Sequence, residues 1–178
     1  EWLGWGDGLL LFFDARELVE EVIAVLESQV QSLVEQIASL PGQIVVSPDN
    51  LDAQFVSPAF FKRYLAASYR RTAELLHAHD KVLLAGTGGP IGKLLALLAA
   101  AGIDGIEGVS GPPQSDATLA EARQLAGPSF TLWGGIPQDA LLSDFDHAHF
   151  AAIVAQAARE AGAAPRAILG IADVVPIH

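Results

Sequence analysis

Lys81-Val-Leu-Leu-Ala-Gly-Thr-Gly-Gly-Pro-Ile-Gly92 decides how this chain is read. Val82 to Ala85 form a continuous apolar run, the pattern of a strand covered on both faces. Gly86, Gly88 and Gly89 then bring the backbone into a turn that admits positive φ and leaves no side chain between main chain and ligand. Pro90 suits the first turn of a helix. A strand, a glycine turn and an apolar helix make one βα unit, and in parallel α/β proteins ligands bind at that turn. Neither common phosphate motif fits. The dinucleotide fingerprint G-x-G-x-x-G would need glycine where Ile91 stands. A Walker A loop would need Ser or Thr after Gly92-Lys93, where Leu94 stands, and its opening glycine falls on Thr87.

Working outward, the same unit recurs. Gln43–Ser47 reads as a strand that runs into Pro48-Asp49-Asn50-Leu51-Asp52. Ser57-Pro58 opens a helix, serine capping and proline in the first turn, that lasts to about Asp80. After the central turn, Ile91–Ala101 is a buried helix closed by Gly102. Ile103–Val109 is the next strand. Asp116, at the end of the loop from Ser110, is placed to cap a helix over Thr118–Leu125. Phe130–Trp133 is a strand ended by Gly134-Gly135-Ile136-Pro137. A helix over about His149–Ala161 leads to the last strand, Ala167–Ile171. Upstream, Leu9–Phe13 reads as a short strand. Asp14 with Glu17 reads as a capping box opening a long amphipathic helix to Ser39, with Leu18, Val22, Leu26, Val30, Leu33 and Ile37 at helical spacing.

At least five alternations of strand and helix predict a parallel sheet with right-handed crossovers. An open doubly wound sheet and a (β/α) barrel both satisfy that pattern. Polar or glycine-rich residues after nearly every strand favour the barrel, an incomplete one with about five clear units in a single domain over residues 1–178.

Composition bounds the function. The chain has 178 residues and a formal net charge of −11, which argues against nucleic acid or an anionic membrane as partner. No apolar run reaches membrane-spanning length and no signal peptide is evident, so a cytoplasmic protein is expected. Cysteine and methionine are both absent. The first excludes disulfides, thiolate nucleophiles and Cys-ligated zinc. The two together suggest an excised or redesigned chain. His77 with His79 and His147 with His149 lie two apart, the wrong spacing for a metal pair on a helix, so no metal and no cofactor are expected.

These landmarks resemble the uroporphyrinogen decarboxylase family, in its carboxyl-terminal portion. The matching residues are Asp49-Asn50; Ser57-Pro58-x-x-Phe61 with Tyr64; the strand into Gly88-Gly89; and Ala101-Gly-Ile-Asp-Gly-Ile-Glu107. They continue with Asp116-x-Thr-Leu-x-Glu-Ala-Arg123, Leu132-Trp-Gly-Gly-Ile-Pro137 and Ile168-Leu-Gly-Ile-Ala-Asp173. The resemblance implies a (β/α)₈ barrel whose members decarboxylate porphyrinogen acetates or transfer methyl groups among corrinoid proteins, thiols and other carriers. The chain also departs from the pattern. Relatives often carry histidine and then Cys-Gly or Asp-Gly after the central strand, where this chain has Gly86 or Thr87 and then Gly88-Gly89. Decarboxylases typically show Gly-His after the last strand, where Ala172-Asp173 stands. The substrate-binding arginines near the family's amino terminus have no counterpart.

The candidate catalytic residues are therefore Asp49, Glu107 and Asp173, carboxylates near strand ends that would move protons or stabilise positive charge. Asn50, Thr87, Gly88, Gly89 and Trp133 would bind substrate. The bland alternatives are an Asx turn for Asp49-Asn50, a loop partner for Glu107 and a core position for Trp133. The function this implies is metal-independent decarboxylation of an anionic, tetrapyrrole-like substrate, or one-carbon transfer, by a homo-oligomer. The alternative is a non-catalytic truncated or engineered barrel that self-associates or binds a complementary chain. The barrel reading also requires Asp49, Thr87, Glu107, Trp133 and Asp173 to gather at one end of the sheet.

Overall fold

The computed structural model describes residues 5–142, 146–163 and 165–172. The chain divides into two compact units, Glu1–Leu40 and Pro41–His178. In the first, α1 (Trp5–Asp14) is followed by α2 (Arg16–Ser39). Both sequence expectations for this junction fail. Leu9–Phe13 is helical, because an unbroken apolar run has no alternation to mark a strand and leucine favours helix. Asp14 ends α1, and α2 begins after Ala15 with no side-chain cap. The long amphipathic helix itself ends at Ser39 as its spacing predicts. Leu18, Val22, Val30 and Leu33 nevertheless remain exposed.

The second unit holds β1 (Ile44–Leu51), β2 (Val82–Thr87), β3 (Gly105–Val109), β4 (Thr131–Pro137) and β5 (Ala167–Ala172). They form one sheet in the order β1-β2-β3-β4-β5, every neighbouring pair parallel. A doubly wound sheet needs a point where strand order reverses. Strict chain order has none, and crossovers of one hand then put every helix on the same face. Register bears this out. Ala85, Ile106 and Leu132 form one cross-sheet row and are buried. One residue along, Gly86, Glu107, Trp133 and Ile168 form the next row on the opposite face, where Ile168 is 40% exposed. On the same face Ile44, Val46 and Val82 are exposed as well. The helical cover comprises α3 (Pro58–Phe60), a π-helical turn (Phe61–Leu65), α4 (Ala66–His77), α5 (Gly92–Ala100), α6 (Leu119–Ala126) and α7 (His147–Ala163). Ile91, Leu94, Leu95 and Leu98 are wholly buried, each contributing about 1.5–3 kcal/mol.

The strand starts are clamped by side chains. Asp104 Oδ2 accepts from Leu83 N–H at 2.7 Å and lies 2.8 Å from His77 Nε2. Lys81 donates to the Gly42 carbonyl. Arg123 donates to Gly127 O at 2.9 Å, to Arg166 O at 3.1 Å and to Phe130 O. These contacts serve stability, as the amino-terminal face of a barrel does.

Two further expectations are corrected. β1 runs on to Leu51, so Asp49 and Asn50 lie inside the strand and not beyond it. Pro48 has no N–H to donate, and the pairing slips: β1 advances from Ser47 to Leu51 while β2 advances only from Ala85 to Thr87. Asp116 caps a different helix from the one expected. Its Oδ1 accepts from Ile91 N–H at 2.8 Å and Gly92 N–H at 2.9 Å, at the start of α5. Thr118 caps α6 itself, in a capping box with Glu121. Asp116→Ala is therefore expected to cost about 0.5–2 kcal/mol and Asp116→Asn much less, as for any N-cap. Urea midpoints at unchanged slope measure both.

Candidate functional site

The carboxyl ends of β1 and β2 meet in close contacts at three glycines. A Cβ on Gly86 would collide with the Asp49 carbonyl, and one on Gly88 with the Asn50 side-chain oxygen. At Gly89, where φ is +81°, a Cβ would stand 2.5 Å from Asp52 Oδ2. Hydrogen bonds close the same seam: Gly88 N–H donates to Leu51 O at 3.3 Å and Ala53 N–H to Pro90 O at 2.7 Å. The buried Asp52 also accepts from Gln54 N–H at 2.7 Å through Oδ1. The segment after β1 and the turn after β2 thus form one clip.

Asp49 is held from the α4 side. Ser47 Oγ and the Tyr69 hydroxyl both donate to its Oδ2. Tyr69 stacks on the buried Phe61 of the π-helical turn, ring centroids 5.9 Å apart. Burial, and then the Asp49 charge, push the Tyr69 hydroxyl far above the usual tyrosine pKa, so it stays a donor. The carboxylate is thereby oriented by two neutral hydroxyls. Thr87 is buried, and its hydroxyl donates to Glu107 O at 2.8 Å, tying the end of β2 to β3. Glu107 lies half-buried between Gly86 and Trp133 in the cross-sheet row. The Trp133 indole covers Gly170 on β5, where a Cβ would stand 2.7 Å from Nε1.

Among the expected site residues, Asp49, Asn50, Thr87, Gly88 and Gly89 occupy the carboxyl-terminal half of their strands or the turn beyond, whereas Glu107 stands at the middle of β3 and Trp133 in the first half of β4. Asp173 lies outside the described residues; its neighbour Ala172 pairs with Pro137 at the same end. A polar cavity of about 250 Å³ opens here, lined by Gly88, Gly89, Gly108, Ser110, Gln114 and Gln138. Ser110 is buried, and Gln114 Oε1 is buried with no hydrogen-bond partner. Asp52, Ser110, Gln114 and Gln138 were not singled out from sequence. Their only signal is position just after β1, β3 and β4. A second cavity, about 300 Å³, lies among Leu119, Gly135, Ile153, Ala157 and Glu160 and contains none of the expected residues. Among the described residues no three His, Asp or Glu side chains gather as a metal set, and no helix is long and apolar enough to cross a membrane.

No protein-family model matches the sequence, and no curated protein does. Solved structures do match. A methyltransferase from Methanosarcina mazei superposes with a TM-score of 0.71 at 15% identity, covering 96% of this chain and 49% of that one. The chain has the fold of a partial (β/α) barrel. It spans about half the length of that methyltransferase, and at such identity the likeness concerns fold alone. A D-psicose 3-epimerase crystallised in the presence of D-fructose superposes more loosely, with a TM-score of 0.43 at 15% identity, covering 79% of this chain and 56% of that one.

The Asp49–Tyr69 pair predicts a pH dependence. An unfolded tyrosine ionises near pH ~10. The folded chain keeps the Tyr69 proton beyond that point, so the unfolded state binds fewer protons and stability falls as pH rises past it. Tyr69→Phe should flatten part of this alkaline loss and lower stability at neutral pH by about 1.5–3 kcal/mol, the range for a hydrogen bond to a charged group. Denaturation midpoints from neutral to alkaline pH check both.

Proposed function

We propose that this chain carries the strand-end site of a metal-independent enzyme of the uroporphyrinogen decarboxylase type, acting on a carboxylated or one-carbon-bearing small molecule. The observation that carries the reading is Glu107, set on the open face of the sheet between the glycine of β2 and the Trp133 indole, two residues before the carboxyl end of β3, the end at which barrel enzymes bind substrate. In decarboxylation the bond from carbon to the carboxyl group breaks. Carbon dioxide leaves, and the electron pair flows into an adjacent cationic centre. Glu107 would stabilise that positive charge, and a proton returns to the carbon. Asp49, held on the helix side by Ser47 and Tyr69, would fix the end of β1 beside the site, with Asp173 as the third carboxylate. Asn50, Thr87, Gly88, Gly89 and Trp133 would form the walls. A tetrapyrrole substrate, a homo-oligomeric state and a cytoplasmic location belong to the same proposal.

Incubation with a porphyrinogen and product chromatography test it. Decarboxylated products should appear, and Glu107→Gln should lower their rate on the order of 10²-fold, the effect of removing one charge-stabilising group. Absence of both binding and product would sink the tetrapyrrole version.

A second reading has an observation of its own. Ile44, at 59%, and Val46, at 43%, are exposed on edge strand β1, on the face that no helix of the second unit covers. An apolar face beside an unpaired strand edge favours association, as in a barrel scaffold that binds a complementary chain or its own copy. Light scattering decides it, since a monodisperse monomer at high concentration would contradict this reading.

A further inference from the structure

We propose that the cavity between α6 and α7 binds a small, uncharged, largely apolar molecule, a single ring whose one hydroxyl group bonds to Ser110. The site lies apart from Glu107 and its cross-sheet row, so it goes beyond the proposed function and does not rest on it. Its walls are Leu119 of α6, Ile153 and Ala157 of α7, and Gly135 and Pro137 of β4. Leu119, Pro137 and Ala157 are buried. A concave apolar wall with a few polar groups is what small-molecule sites present.

Ser110 supplies an independent observation. It follows β3, is 7% exposed, and lines this cavity and the polar cavity alike. Its hydroxyl has no hydrogen-bond partner among the described residues. Ser115 Oγ, in the same loop, is unpaired too, but it is sealed in, whereas Ser110 Oγ is not. The little surface that Ser110 keeps therefore opens on the cavities it lines. A buried hydroxyl without a partner costs free energy that a ligand hydrogen bond recovers. The other polar side chains of this cavity are already engaged. Thr118 Oγ1 accepts from Glu121 N–H at 3.3 Å. Gln156 donates to Glu160 Oε1 and accepts from Arg159 at 2.8 Å, and Glu160 Oε2 accepts from Ala120 N–H at 3.1 Å. Ser110 is left as the polar anchor, and a serine hydroxyl both donates and accepts.

Size narrows the class. About 300 Å³ stands at the lower end for small-molecule sites. An apolar cavity of ~150 Å³ suffices for benzene, so one ring with a polar substituent fits.

Phenol and toluene, alike in size and differing in the hydroxyl, are the probes. Titrated into the isotopically labelled chain, phenol should saturably shift the backbone amides of Ser110, Gly135, Ile153 and Ala157. Toluene should bind about three- to tenfold more weakly, the ratio of one ordinary hydrogen bond. Ser110→Ala should erase that difference and leave toluene binding as it was. Ala152 lies exposed on the rim of the cavity, so Ala152→Phe should close it without disturbing the core and weaken both ligands by about tenfold or more. Absence of saturable shifts at these amides up to the solubility of phenol would overturn the proposal. So would binding undiminished in Ala152→Phe, or a preference for phenol that survives in a folded Ser110→Ala.

Discussion

The second unit depends on a close approach of three glycines, at and just after the end of β2, to the end of β1. Gly86, Gly88 and Gly89 press against the carbonyl of Asp49, the amide of Asn50 and the carboxylate of Asp52. That contact fixes where β1 ends relative to β2, and so places the polar residues of the first strand above the glycine turn of the second. β3 joins through the Thr87 hydroxyl on the Glu107 carbonyl, and β4 and β5 join where the Trp133 indole lies over Gly170. The opposite end is held in another way, with Lys81, Asp104 and Arg123 reaching across to main-chain groups of neighbouring segments. One end of the sheet is built from missing side chains and the other from long ones. The first leaves room for a ligand.

Much of this was legible because the signals were local. The apolar run Val82–Ala85, the Ser57-Pro58 start and the glycine at 102 report their own conformation, and the alternation of strand and helix fixed the parallel sheet. What sequence could not choose was barrel against doubly wound sheet by topology alone, since strand order is a long-range property. Errors arose where the partner was distant. Asp116 precedes α6 yet caps α5, because the βα turn after β2 comes close enough to offer two unpaired N–H groups. Asp49 looked like a loop residue, and it is a strand residue whose carboxylate is bound by Ser47 and Tyr69. Leu9–Phe13 misled because an unbroken apolar run carries no period.

The site shows the same division. Carboxylates and glycines after predicted strands could be chosen from sequence, since parallel strands deliver their ends to one face. Gln114 and Gln138 could not, because a glutamine in a loop has no spacing to mark it and becomes notable only when its oxygen is buried. A net charge of −11 says little about the ligand of any one cavity.

The central claim is that five parallel strands, paired in chain order, bring these residues to one end. Through-space proton contacts in the labelled chain test it most directly. The account predicts parallel-type contacts between Val46 and Leu84, Ala85 and Ile106, Ile106 and Leu132, and Trp133 and Ile168, with the Asn50 side-chain amide close to Gly88. Close Hα–Hα contacts of the antiparallel kind, or pairing of β2 with any strand other than β1 and β3, would contradict it.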